Sequence, residues 1–272
     1  MLRFLLVLTA LTFVLPAQAL ELSGVLKQGG LLIGKVSPGA KVWLDGAPLD
    51  VTSDGRFVFG FPREAASSAV LRFTNAEGGT EERVLEIASQ DYKIDRVDGL
   101  PPRTVTIPEE EKKRRARERN MVKTARADQS QDLHWVKGFK LPVDGARISG
   151  VYGSQRILNG EPRWPHYGLD MAAPVGTPVK APAAGIVRLA EPDFLLEGGI
   201  IIIDHGFGVS STLMHLNSVD VKVGQQVTAE DVVATLGASG RATGPHLDWR
   251  MNWGAVRIDP ALALEIKPFE AQ

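Results

Sequence analysis

The chain has 272 residues, 44% of them hydrophobic, enough to bury a core in one large domain or two modest ones. Its formal net charge is −1, so no global field draws it to nucleic acid and no nucleic-acid partner is expected. Cysteine is absent, which excludes disulfides and thiolate metal sites, so any metal must be held by His, Asp or Glu.

A short basic start, Met1-Leu2-Arg3, precedes an almost unbroken apolar run from Phe4 to Leu15. Ala17-Gln18-Ala19 then supplies the small residues that a signal peptidase reads. The run is shorter than the ~20 residues a membrane span needs. Residues 1–19 are therefore expected to be a signal peptide, with the mature chain beginning near Leu20. That places the mature chain in the periplasm or cell envelope, with no membrane span in it.

Residues 20–100 read as a β-rich N-terminal domain. Phe57 and Phe59 alternate with Val58 and Gly60, Leu71 and Phe73 with Arg72, and Leu85 and Ile87 with Glu86, a period of two that fits half-buried strands. Asp45-Gly46 and Asp54-Gly55 are hairpin-type turn pairs. The pattern suggests a small β-sandwich with a structural or docking role, since it holds no histidine.

Residues 101–135 read as a charged helical linker. Pro101-Pro102 breaks the chain, and Glu109-Glu110-Glu111 then precede Lys112 to Arg115, in the order the helix dipole favours. Glu109–Lys113, Glu110–Arg114 and Glu111–Arg115 have the spacing of i,i+4 pairs, and little of the helix is apolar. The expectation is a solvated connector to about Ala127, the alternative a basic patch for an acidic partner such as a cell-wall polymer.

Residues 136–268 change texture to strands punctuated by Gly and Pro, with β-branched runs at Ile200–Ile203 and Val219–Val223. Four of the five histidines fall here: His166, His205, His215 and His246. Such clustering in a strand-rich segment without cysteine points to a metal site. His166 and Asp170 sit where a loop runs into a strand, and both can turn toward one point. His246 and Asp248, two apart on a strand, face the same side. Arg250 is either a partner for a carboxylate there or plain strand decoration. Trp164, Trp249 and Trp253 either line a groove or pack in the core.

Several blocks, in order and at matching spacing, resemble the lysostaphin-type (LytM-like) zinc metallopeptidases: His166-Tyr167-Gly168-Leu169-Asp170, Gly176-Thr177-Pro178, Asp204-His205-Gly206, His215-Leu216, Val223-Gly224-Gln225 and Gly244-Pro245-His246. The resemblance covers roughly Phe139 to Pro260. It implies a mainly all-β protein whose C-terminal LytM-like (duplicated hybrid motif) domain forms a β-groove around one Zn²⁺. By this resemblance His166 and Asp170 are metal ligands, His215 and His246 are the catalytic histidines beside the ion, and His205 is structural. The implied activity is a metalloendopeptidase that hydrolyses peptide cross-links or stem peptides of peptidoglycan with a zinc-activated water.

One position departs from the family. Where it has His-x-His, this chain has His246-Leu247-Asp248, so Asp248 stands as the third ligand. A His₁Asp₂ set around a dication is formally neutral and activates water less than a His₂Asp set. Harder oxygen ligands also admit another divalent ion. Two alternatives follow: a non-catalytic relative that binds and activates other cell-wall hydrolases, and a simple wall-binding module.

Overall fold

The computed structural model describes residues 20–75, 77–97, 109–158 and 160–269. The expected signal peptide and the Pro101-Pro102 break lie outside the described residues. Among those described, no helix is long and apolar enough to cross a membrane.

The N-terminal part is built from two facing sheets. One joins β1 (Glu21–Gly24), β2 (Leu31–Lys35) and β5 (Arg56–Gly60); the other joins β3 (Val42–Leu44), β4 (Ala47–Leu49), β6 (Ser68–Thr74) and β7 (Thr80–Glu86). Asp45 and Gly46, both at positive φ, make the two-residue turn of the β3–β4 hairpin, as the Asp-Gly pair demands. Leu32, Phe57, Phe59, Leu71 and Leu85 fill the space between the sheets. β6 alternates buried and open positions as its sequence predicts.

β5 differs from the half-buried expectation, because both of its faces, like those of β2 beside it, are covered. Leu31, Ile33 and Val58 point away from the sandwich and join the core of the C-terminal part. There the two parts touch closely: a Cβ on Gly60 would lie 2.4 Å from Ile258 Cδ1. Asp259 N–H donates to the Gly29 carbonyl at 2.8 Å, and Arg63 Nε and Nη2 donate to the Gly153 carbonyl at 3.0 and 2.9 Å. A further strand, β8 (Ile94–Val97), leaves the sandwich altogether. It pairs in parallel with β10 (Gln155–Leu158), which follows β9 (Arg147–Gly150) and pairs in turn with β11 (Glu161–Pro162).

Helix α1 runs Glu109–Ala127. The expected i,i+4 pairs are not the ones formed among the described residues. Glu109 pairs with Lys112, while Arg114 and Arg115 both turn to Glu118. Nor is the helix simply solvated: Met121, Val122 and Ala125 pack on Leu189, Phe194, Ile200, Ile202 and Met214. Its few apolar residues gather at the C-terminal end, where they suffice to dock it on the sheet.

The C-terminal part is one large antiparallel sheet. Its strands are β12 (Gly168–Ala172), β13 (Pro178–Lys180), β14 (Gly185–Phe194), β15 (Gly198–Gly206), β16 (Val209–Val219), β17 (Gln226–Val227), β18 (Val232–Leu236), β19 (Leu247–Trp253) and β20 (Val256–Ile258), followed by the short α2 (Pro260–Ala263). The main path runs β17-β14-β15-β16-β19-β12-β9. β15 is buried along its whole length, which explains its run of four isoleucines. The mainly β architecture, with a sandwich, a helix and a groove-bearing sheet, agrees with the sequence expectation.

Candidate metal centre and its groove

A groove of about 860 Å³ crosses the sheet, with His166, Asp170, His215, His246, Asp248 and Arg250 among its walls. Strand pairing explains the convergence. β12 and β19 run antiparallel with Asp170 directly opposite Asp248, so the two carboxylates rise from one face of the sheet. His166 stands two residues before β12 and reaches back over it. The three side chains offer ligand atoms that all lie within 4.8 Å of one another.

Two glycines make room for the carboxylates. A Cβ on Gly168 would lie 2.0 Å from Asp248 Oδ1, and one on Gly150 would lie 2.3 Å from Asp170 Oδ2. Any side chain at either position would push a carboxylate out of its place.

His166 Nε2 and Asp170 Oδ1 approach to 3.1 Å, yet both are buried and neither has a hydrogen-bond partner. With Nε2 unprotonated these are two buried acceptors in contact, an expensive arrangement unless a cation completes it. The donor set thus fits a divalent ion in chemistry and in placement. Burial opposes a charge on His166, but the Asp170 and Asp248 carboxylates outweigh it and raise its pKa.

Asp248 is 2% exposed and fully engaged. Arg250, two residues on along the same face of β19, donates from Nε to both carboxylate oxygens at 3.1 Å and from Nη2 to Oδ2 at 2.7 Å. Burial pushes the Asp248 carboxyl up, but the Arg250 charge and hydrogen bonds outweigh it and hold the pKa below the usual carboxylate range. This settles the role left open for Arg250 and changes the charge count. With the guanidinium included, a dication among His166, Asp170 and Asp248 would sit in a cluster of net charge +1, as in a His₂Asp site, rather than in a neutral one. Each carboxylate oxygen has a second lone pair, so the Arg250 contacts leave Asp248 able to face an ion as well.

The two remaining histidines lie side by side, ring centroids 4.8 Å apart. His215 is placed by a bulge. β16 pairs with β19 as far as Met214 and changes partner to β18 from Leu216, and the β15 register slips at the same point. His215 occupies the break with φ of +64°, a left-handed conformation that costs a non-glycine residue about 1–3 kcal/mol and persists only where its surroundings impose it. Its N–H donates to the Glu197 carbonyl at 2.8 Å. Its Nδ1 lies 2.9 Å from the Ser239 carbonyl, and His246 Nδ1 lies 2.8 Å from the Gly244 carbonyl. Carbonyls only accept, so both rings carry a proton on Nδ1. Burial pushes the His215 pKa down, which keeps that ring neutral.

His205 stands apart from this group. It is fully buried, with Nδ1 donating to the Ala184 carbonyl at 2.7 Å and Nε2 2.9 Å from Ser211 Oγ. Burial pushes its pKa down to about 4. Trp249 lies in the core, whereas Trp164 is 88% exposed on the groove rim. Sequence reasoning missed Arg115 and Glu197, which reach the same groove wall from distant segments.

The groove thus sets a His–Asp–Asp cluster beside the paired rings of His215 and His246. The model of peptidase family M23 matches residues 164–260. A peptidase M23 structure from Pseudomonas aeruginosa superposes with a TM-score of 0.65 at 31% identity, covering 88% of this chain and 95% of that one. The peptidoglycan DD-endopeptidase ShyA of Vibrio cholerae is 34% identical over 114 residues, 41% of this chain and 26% of that protein. The cell division protein DipM of Caulobacter vibrioides is 34% identical over 156 residues, 54% of this chain and 24% of that protein. The match thus spans about a quarter of the length of these curated relatives. The chain belongs to peptidase family M23.

Proposed function

We propose that this chain is a secreted, metal-dependent endopeptidase that hydrolyses peptide cross-links or stem peptides of peptidoglycan. One Zn²⁺ is held by His166, Asp170 and Asp248, with His215 and His246 as the catalytic pair. Residues 1–19 act as the signal peptide, and the mature chain works in the periplasm or cell envelope. Its β-rich segment is 20–100, its helical connector 101–135 and its peptidase segment 136–268. Relatives described as DD-endopeptidases and a DD-carboxypeptidase/endopeptidase support peptidoglycan as the substrate.

The observation that carries the reading is that the buried atoms His166 Nε2 and Asp170 Oδ1 stand 3.1 Å apart without a hydrogen-bond partner, with Asp248 in reach. A divalent ion there supplies Lewis acidity, lowering the pKa of water and polarising the scissile carbonyl. The protein does the rest. Gly150 and Gly168 seat the carboxylates, and Arg250 holds Asp248 in place. A neutral imidazole accepts the attacking water's proton at Nε2 and returns it to the leaving amine. The second imidazole, once protonated at Nε2, donates to the oxygen on which negative charge develops.

A second reading is a non-catalytic relative that binds and activates another cell-wall hydrolase. One observation favours it: Arg250 already offsets the Asp248 charge, donating to both of its oxygens. Metal analysis combined with digestion of purified sacculi, with and without chelator, separates the two. About one equivalent of zinc and chelator-sensitive release of new peptide ends are expected. Metal-free protein that leaves sacculi intact after zinc is supplied would replace the endopeptidase reading with the regulatory one.

A further inference from the structure

The helix outside the family-matched segment reaches the site through one hairpin turn. Arg115 of α1 grips the Glu197 carboxylate with both ends of its guanidinium, Nη1 to Oε2 and Nη2 to Oε1, each at 2.7 Å. The pair is largely shielded, with side chains 15% and 18% exposed, so water screens it little. Glu118, only 3% exposed, accepts the Leu195 N–H at 2.9 Å, and Arg114 Nη2 donates to the Asp193 carbonyl at 2.7 Å. One turn of helix therefore fixes the end of β14 and residues 195–197, which connect it to β15.

That connection is what holds His215. The Glu197 carbonyl accepts the His215 N–H inside the bulge, and the Leu196 carbonyl accepts the Arg241 N–H at 2.9 Å. The same 239–241 segment carries the Ser239 carbonyl that fixes the His215 ring. A left-handed, non-glycine backbone persists only where its surroundings over-determine it. Here those surroundings lead within two bonds to α1.

We infer that α1 is a positioning element for His215, acting through the Arg115–Glu197 pair, so that docking of the helix sets the competence of the groove. The inference rests on the proposed catalytic use of His215 and extends it to a segment outside the family match. It gives the charged helix a regulatory capacity: a partner or ionic condition that frees Arg115 from Glu197 loosens His215 while leaving the His166–Asp170–Asp248 cluster in place.

The test uses the full chain with R115A, E197Q, the double variant, R115K as the conservative change and R117A as an exposed control on the same helix. Two readouts apply: the ring resonances of His215 by NMR, and kcat and KM on a soluble cross-linked muropeptide. Expected are a shifted His215 resonance and a kcat loss of about ten- to a hundred-fold in R115A and in E197Q. KM should hold, the double variant should be no worse than either single change, R115K should recover part of the loss, and R117A should be silent. A raised KM with kcat and the resonance unchanged would make Arg115 a substrate contact and overturn the inference, as would an E197Q variant with no effect. If the parent protein cleaves nothing, the endopeptidase reading falls, and the resonance arm still decides whether α1 positions His215.

Discussion

Asp248 and Arg250 form the most consequential pair at the scale of single residues, because each is costly without the other. Asp248→Ala removes the carboxylate but leaves Arg250 facing a groove wall with little water. Breaking a buried pair costs about 3–5 kcal/mol, and the 30% exposure of the Arg250 side chain reduces this to about 2–3 kcal/mol. Urea denaturation should show that loss, and the Asp248→Ala/Arg250→Met double variant should recover much of it. If the single and double variants are equally destabilised, the pair does not carry the energy assigned to it. His205 makes a separate prediction. Burial holds its folded pKa at about 4, against 6.5 for the free side chain. Its contribution is therefore fully present above pH 6.5 and is lost as pH falls toward 4, at about 1.4 kcal/mol per pH unit. In His205→Gln that part of the slope should vanish from a stability-against-pH curve, while an unchanged slope would place the proton uptake elsewhere.

Helix α1 marks the boundary of what single elements reveal from sequence. Its existence is legible in Glu109 to Arg115, where charge order suits the dipole. Its docking is not, because Met121, Val122 and Ala125 are a short apolar patch beneath a charged majority. Ala125→Glu drives a carboxylate toward Leu189, Phe194 and Met214, and should lower stability by about 2 kcal/mol. It should also open residues 109–127 to limited proteolysis; a helix as protected as before would mean that the patch does not hold it. The strands follow the same logic. Alternation reveals β6, but β5 reads as half-buried because the sequence cannot say that a second surface waits for Val58, as it does for Leu31 and Ile33 of β2. At the site, His166, Asp170, His215 and His246 stand in short motifs and are legible one by one. The opposition of Asp170 to Asp248 needs the register of β12 on β19, which only the fold supplies. The Asp248–Arg250 contact was within reach, since residues two apart on a strand share a face. The Arg115–Glu197 pair, 82 residues apart, was not.

For the whole molecule, the decisive feature is that the two parts share a core. Leu31, Ile33 and Val58 belong to the same cluster as Trp135, Trp249, Met251 and Ile258, so the sandwich contributes an inner wall to the groove-bearing sheet. Polar contacts reinforce the seam: Ser23 Oγ donates to the Lys267 carbonyl at 2.7 Å and accepts its N–H at 2.9 Å, and Gln90 Nε2 donates to Asp259 Oδ2 at 3.1 Å. β8 extends the tie by pairing with β10, which is joined through β11 to the segment that carries His166. Parts joined this way lose buried apolar surface as soon as one of them opens, which couples their unfolding. The full chain should therefore unfold in urea as one transition, with far-UV circular dichroism and tryptophan fluorescence coinciding. Ile33→Asp, which places a charge at the shared core while leaving the groove residues untouched, should destabilise both parts together and lower the single midpoint. Two separated transitions, with the fluorescence of the buried Trp135 and Trp249 unaffected by Ile33→Asp, would instead make the sandwich an independent appendage.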